Sequence, residues 1–209
     1  GNVDSMVNLY SPAKVPRERD DYSPNGEAGK RPPRATIAYT AAAKGAFKGV
    51  PVIIGGIEAS LRRLVYYDYW DDKVRRSILA DSKADILVYG MGEKAVVEIA
   101  RRLSAGAKAG EILDVPGTVV RSESNHENSE ALPSYEECAA SKTEFARAFA
   151  LWYKNPGGYY SQRHGEVTIV QNPAPASPTS AELDAVYSLP FTRRPHPRYG
   201  PNPRIPAYD

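Results

Sequence analysis

Two short buried-strand candidates, the first continuously apolar and β-branched and each closed by glycine, constrain this chain more than any other feature. Val50-Pro51-Val52-Ile53-Ile54 ends at Gly55-Gly56, and Ala84-Asp85-Ile86-Leu87-Val88-Tyr89 ends at Gly90-Met91-Gly92. A strand that is apolar on both faces must be covered on both faces, which is the position of a strand inside an α/β sheet. After the second run, Val96, Ile99, Ala100 and Leu103 fall at i, i+3, i+4 and i+7, one core-facing helical stripe that Gly106 ends. Ala35 to Phe47 reads as a helix ahead of the first run, and Gly117 to Arg121 and Val167 to Val170 read as further strands. Strands alternating with helices at these distances imply an α/β fold, a mostly parallel open sheet with helices brought to both faces by right-handed crossovers. Few strands are visible for such a sheet, so it is expected to be incomplete at its N-terminal side.

Boundaries come from proline and from capping pairs. Residues 1–34 read as an irregular arm, in which Pro12, Pro16, Pro24, Pro32 and Pro33 recur among charges without a period. Residues 35–172 hold the α/β domain. Nine of the 18 prolines lie between Pro173 and Pro206, so residues 173–209 read as an extended connector. Ser134-Tyr135-Glu136-Glu137, Ser141-Lys142-Thr143-Glu144 and Thr179-Ser180-Ala181-Glu182 each fit the capping box that starts a helix. The second introduces Phe145, Phe149 and Trp152 on one face. Val74 to Ala80 reads as a short helix and Ser122 to Glu130 as a polar surface loop. The chain opens Gly1-Asn2-Val3-Asp4 without an initiator Met, from which the numbering is expected to begin inside a longer protein.

Composition removes whole classes of function. With 42% hydrophobic and 25% charged residues the chain is ordinary globular protein, and 27 basic against 25 acidic side chains leave a net charge of only +2. That charge does not call for a nucleic-acid or membrane partner. The single cysteine, Cys138, excludes an intrachain disulfide and any cluster that needs several thiolates from this chain. It stands beside Glu136 and Glu137, an acidic setting that raises a thiol pKa, so it reads as structural. No apolar run reaches membrane-spanning length and no signal segment opens the chain, so a soluble, cytoplasmic protein is the default reading.

Gly55 and Gly56 follow a buried strand, where open α/β sheets place ligand crevices, and Glu58 follows them. A tight strand-to-helix turn explains the glycines equally well. Gly90-Met91-Gly92-Glu93 lacks the full dinucleotide glycine pattern, and Glu93 is better placed to complement a helix dipole. The segment from Arg62 to Arg76 interleaves Arg62, Arg63, Arg75 and Arg76 with Tyr66, Tyr67, Tyr69 and Trp70. Such a mixture can stack bases and hold phosphates, but Asp68, Asp71 and Asp72 point to internal ion pairs or a contact surface for another domain. His126, His164 and His196 show neither metal spacing nor an evident pairing with a nucleophile. The residues alone assemble no catalytic centre.

Three longer stretches carry a resemblance. Gly26-Glu27-Ala28-Gly29-Lys30-Arg31-Pro32, Val52 to Arg63 with its Gly-Gly-Ile-Glu-Ala-Ser-Leu-Arg-Arg core, and Tyr67-Asp68-Tyr69-Trp70 closely resemble the N-terminal region of the YgiQ-type proteins. These are uncharacterised members of the radical S-adenosylmethionine (SAM) superfamily. The likeness continues through Val74-Arg75-Arg76-Ser77, Asp81 to Asp85, Pro195-His196-Pro197 and Arg204 to Tyr208, nearly the whole chain. It implies that the region precedes a radical SAM barrel whose C-x-x-x-C-x-x-C loop holds a 4Fe-4S cluster and S-adenosylmethionine. None of that loop lies in this chain, so no catalytic residue, metal ligand or cofactor is expected within it, and an enzyme assignment belongs to the parent protein. The resemblance also implies a flavodoxin-like or cobalamin-binding-like domain. The D-x-H-x-x-G signature of cobalamin ligation is absent, so cobalamin is disfavoured. The expected role is an accessory domain that shapes the substrate site or docks on its own barrel, with Gly55, Gly56, Glu58, Arg62, Arg63, Tyr67, Asp68 and Tyr69 as contacts. The alternative is a non-catalytic module that recognises a protein or RNA partner through residues 62–76.

Overall fold

The computed structural model describes residues 3–123, 126–201 and 203–208. Gly1 and Asn2 of the chain's opening, Ser124 and Asn125 of the expected polar loop, and Asn202 and Asp209 of the connector lie outside the described residues. In chain order the elements are α1 (Ser5–Leu9), α2 (Ala35–Ala46), β1 (Ile53–Ile54), α3 (Gly56–Leu61), β2 (Tyr66–Asp68), β3 (Lys73–Arg75), α4 (Ile78–Ser82) and β4 (Ile86–Val88). There follow α5 (Glu93–Ser104), β5 (Thr118–Ser122), β6 (Glu130–Leu132), α6 (Tyr135–Ala140), α7 (Lys142–Lys154), β7 (Tyr160–His164), β8 (Val167–Gln171) and α8 (Ser180–Tyr187). No described helix is long and apolar enough to cross a membrane.

Contacts divide the chain into two compact units, Thr36–Pro175 and a second made of Val3–Ala35 with Ala176–Asp209. The first is the expected α/β fold. Its six-stranded sheet has the order β1-β4-β5-β8-β7-β6, flanked by helices, and β2 pairs with β3 in a separate hairpin. Ile86, Val88, Ala95, Ile99, Ile112, Val115, Val120 and Val170 form one buried cluster, to which α5 contributes its stripe. Ile54, Ala59, Leu64, Ile78, Leu79, Leu87, Val119, Tyr160 and Ile169 belong to the other. The two apolar runs that demanded cover on both faces thus lie between two cores.

Strand direction departs from the mostly parallel sheet expected. Only β1 with β4 and β6 with β7 run parallel, whereas β4 with β5, β5 with β8, and β7 with β8 are antiparallel. A single helical crossover returns the chain in the direction of the strand it left. After α5, residues 105–117 make a second traverse, anchored by Ile112 and Val115 at 1% and 2% exposure, so β5 enters reversed. At the other end β7 and β8 are joined only by Gly165 and Glu166, with Gly165 at φ 67°, a two-residue turn that permits antiparallel pairing alone. The sheet therefore shares the α/β class with flavodoxin-like domains but not their strand directions.

Local readings hold where the signal is local. Ser134 and Glu137 cap α6 reciprocally, as do Thr179 and Glu182 at α8, while Ser141 accepts from the Glu144 amide at the start of α7. The helix expected over Val74 to Ala80 is corrected: Val74 lies in β3, and α4 starts only after Ser77, whose hydroxyl accepts from Leu79 N–H. In the second unit Asn25 donates to the Arg204 carbonyl at 2.7 Å and Ala207 to the Asp21 carbonyl at 2.8 Å. The arm and the end of the proline-rich stretch, separate segments in the sequence, here share one unit.

Candidate functional site

The glycines after β1 and β4 line a cleft of about 410 Å³ together with Ile53, Ile54, Val88, Val96, Ile99 and Leu103. Gly56 has φ 84°, a conformation that disfavours any side chain, and a Cβ on Gly92 would stand 2.8 Å from Val88 Cγ1. These glycines serve the backbone turn and close packing of helix on strand. The cleft they border is apolar, and none of its lining residues is ionisable.

Glu58 does not face that cleft as a free acid. It is 4% exposed, and its Oε1 accepts from Thr36 N–H at 3.0 Å in the first turn of α2. Arg62 lies over the Tyr66 ring at 5.6 Å and donates to the Glu58 carbonyl. Asp68, also buried, accepts from the amides of Trp70 and Asp71 and holds Arg75 Nε at 2.7 Å, closing the β2–β3 hairpin. Arg75 also reaches Asp71, and Arg76 pairs with Asp81 at 2.9 Å. The internal ion pairs anticipated for this segment are therefore present. Tyr67 and Tyr69 remain about half exposed, with the Tyr67 hydroxyl donating to Asp72, a bond that heads the causes raising its pKa.

Arg63 is the centre of the region. Only 8% exposed, it donates from Nε to Gln171 Oε1 at 2.8 Å, and from its two terminal nitrogens to the carbonyls of Ser60 at 2.5 Å and Pro156 at 3.0 Å. Its guanidinium lies over Tyr89 at 4.5 Å and Trp152 at 4.9 Å from the ring centroids. Burial lowers its pKa, and burial likewise raises that of Tyr89 to about 12, so the tyrosine is neutral at pH 7. Arg63 also borders a second cavity, of about 380 Å³, between residues 61–67 and the Phe145–Phe149–Trp152 face of α7.

Thus the eight sequence candidates do not form one constellation. Gly55 and Gly56 border the first cleft, Arg63 and Tyr67 the second, Glu58 and Asp68 are internal caps, and Arg62 and Tyr69 lie in neither lining. Sequence reasoning missed α7 as half of the second cavity, because its aromatic face has the spacing of an ordinary core stripe.

The histidines and the cysteine are held structurally. His126 Nε2 is 2.7 Å from Ser122 Oγ and its Nδ1 2.8 Å from the Tyr159 hydroxyl, a contact that the sequence did not reveal. Ser122 is buried, so the trio ties β5 to the segment before β7. His164 is stacked on Tyr135 and bonded to Gln162, and burial, aided by Arg76, pushes its pKa down to about 4. His196 accepts from Arg198 N–H. Cys138 is buried, and its thiol is pushed up to about 11 by burial and then by Glu137 and Glu144. Among the described residues no group of three or more His, Cys, Asp or Glu is placed to hold a metal ion.

Comparison with known proteins agrees with the sequence resemblance. Residues 1–209 match the family described as Radical SAM N-terminal. A UPF0313 protein of Rhodopseudomonas palustris is 45% identical and one of Geobacter sulfurreducens 49% identical, each match covering the whole of this chain and 35% of the relative. A UPF0313 protein of Methanocella arvoryzae is 47% identical over 95% of this chain and 34% of its own length. The chain thus spans about a third of the length of these curated relatives. No solved structure matches it significantly.

Proposed function

This chain belongs to the radical SAM N-terminal family, and from that premise we propose that it acts as the accessory domain of a radical SAM iron–sulfur protein. It docks against the catalytic barrel of the longer protein and shapes the substrate side of the active site. It performs no catalysis alone. A 4Fe-4S cluster needs several thiolates, and the residues present do not fit one: the chain has a single cysteine, which is buried with its pKa pushed to about 11. Cluster and S-adenosylmethionine are assigned to the remainder of the parent protein.

The observation that carries the docking is the β1 edge of the sheet. β1 is an edge strand, and beside it the apolar cleft of about 410 Å³ separates it from α5. Val96, Val97 and Met91 nearby are 52%, 68% and 48% exposed. An open edge next to uncovered apolar side chains is a surface that a protein covers. Relatives about three times as long supply the material to cover it. In this reading Gly55 and Gly56 lie at the docking edge, and Arg62, Tyr67 and Tyr69 face substrate or barrel. Glu58, Arg63 and Asp68 set the backbone that presents them. Recognition of RNA or protein through residues 62–76 is the weaker reading, since Arg75 and Arg76 are paired with acidic residues of the same chain and Arg63 is buried away from any macromolecular surface.

Val96→Glu in the full-length protein with its cluster reconstituted tests the docking. It should keep the iron and sulfide content, raise deuterium uptake in β1 and α5, and lose most S-adenosylmethionine cleavage. Unchanged uptake and turnover would refute it.

A further inference from the structure

We propose that the cavity between α7 and residues 61–67 is a binding site for a small organic carboxylate with an aromatic or branched apolar body. Three observations converge on it. The cavity, at about 380 Å³, is within the range of small-molecule pockets. Its walls are mainly apolar: Leu61, Leu64, Val65 and Leu132 face Phe145 and Phe149 across it. Such walls suit an apolar body better than a sugar.

The polar end is incomplete in a specific way. Arg63 lines the cavity, is more than nine-tenths buried, and carries its charge against neutral partners only: one amide oxygen, two backbone carbonyls and two ring faces. Among the described residues no carboxylate bonds to it. A buried cation without a counter-charge is costly, and a guanidinium has five N–H donors, of which three are used here. Two further lining residues contain buried donors with no hydrogen-bond partner, the Tyr66 hydroxyl and Trp152 Nε1. A buried cation and two unmet donors, all carried by residues that line one apolar cavity, call for an acceptor-rich anion on an apolar stem once those side chains turn toward it. Phosphate esters fit less well, since a dianion would meet only this one cation.

The inference concerns binding by this chain's own residues, so it stands or falls separately from docking and cluster chemistry. The test is Trp fluorescence and calorimetry on the full-length protein, titrated with 3-phenylpropionate and with its neutral counterpart 3-phenylpropanamide. The carboxylate should bind at least about tenfold more tightly than the amide, the size of effect expected for a charge-assisted hydrogen bond. Leu61→Glu, at a 65%-exposed position on the cavity wall, should leave the circular dichroism spectrum unchanged and weaken the carboxylate about tenfold or more while sparing the amide. No detectable carboxylate binding, or equal binding of both probes, overturns the proposal. So does a carboxylate affinity that Leu61→Glu leaves unchanged.

Discussion

Replacing Arg63 by methionine removes the guanidinium and keeps an apolar stem of similar reach. Three acceptors lose a charged donor: Gln171 Oε1, the Ser60 carbonyl and the Pro156 carbonyl. Pro156 retains a second bond, from Gln171 Nε2 at 2.9 Å, so its loss is the mildest. Hydrogen bonds to charged groups contribute about 1.5–3 kcal/mol each, and a desolvated cation–π contact about 2 kcal/mol. Against this gross loss stands relief of the several kcal/mol that it costs to bury the cation. The loss exceeds the relief even at the low end of these ranges, so the net is a destabilisation of more than about 1 kcal/mol. Urea unfolding followed by tryptophan emission is a direct assay, because the chain has two tryptophans and one, Trp152, stacks on this guanidinium. A midpoint shift equivalent to less than about 1 kcal/mol at unchanged slope would refute the view that Arg63 ties α3, the α7–β7 turn and β8 together.

Other perturbations probe the remaining parts. His164, held near pKa 4 by burial and then by Arg76, is taken up as a neutral base, so the unfolded chain binds a proton before the folded one does. Stability should be full above pH 6.5 and fall by about 3 kcal/mol as pH drops toward 4, and His164→Phe should flatten that slope in urea midpoints measured across pH. Asp20 behaves in a lower window: burial alone would raise its pKa, but bonds from Arg31, Asn8 and Ser23 and the Tyr22 amide outweigh burial and hold it at about 2. Asp20→Asn should weaken the second unit by about 3 kcal/mol, read as faster proteolysis within residues 3–35. Gly117→Ala meets both a φ of 76° and Pro175 Cδ at 2.9 Å, whereas Gly165→Ala meets only a φ of 67°; the first should cost about 1 kcal/mol more in thermal unfolding. Cys138 should resist iodoacetamide at pH 7 until the chain is unfolded, and rapid labelling of the native protein would contradict its burial.

What could be read from the sequence follows the distance over which each feature is decided. The capping pairs Ser134 with Glu137 and Thr179 with Glu182 close within three residues, so the pattern contains its own partner. The runs at Ile53–Ile54 and Ile86–Val88 were legible because burial on both faces removes polar residues from both. Strand direction was not legible, since the reversal of β5 depends on how residues 105–117 travel, and no local pattern records a traverse. The β2–β3 hairpin was hidden for another reason. Asp72 takes φ 52° in its turn where glycine or asparagine would have announced it, and the ion pairs of Asp68 and Asp71 with Arg75 replace the usual apolar alternation.

The same logic explains why the candidate site was half seen. Residues 62–76 stood out by composition and Glu58 by its place after Gly55 and Gly56, but such signals mark where tertiary contacts are demanding, and the demand falls differently on each residue. Glu58 and Asp68 proved to be buried caps, while Tyr67 and Tyr69 kept half their surface. Arg63 finds its side-chain acceptor 108 residues away and a carbonyl 93 residues away, separations at which no spacing rule operates. The opposite wall of its cavity was in plain view as Phe145, Phe149 and Trp152, yet a helical stripe facing a cavity and one facing a core share the same period. Exposure separates them: Phe149 is 52% exposed, whereas Ile99 on the stripe of α5 is 2% exposed. An aromatic stripe that the fold leaves open, set against a buried cation with no counter-charge, is a property of the assembled pair alone, and for that reason the site is best sought by binding experiments rather than by motif.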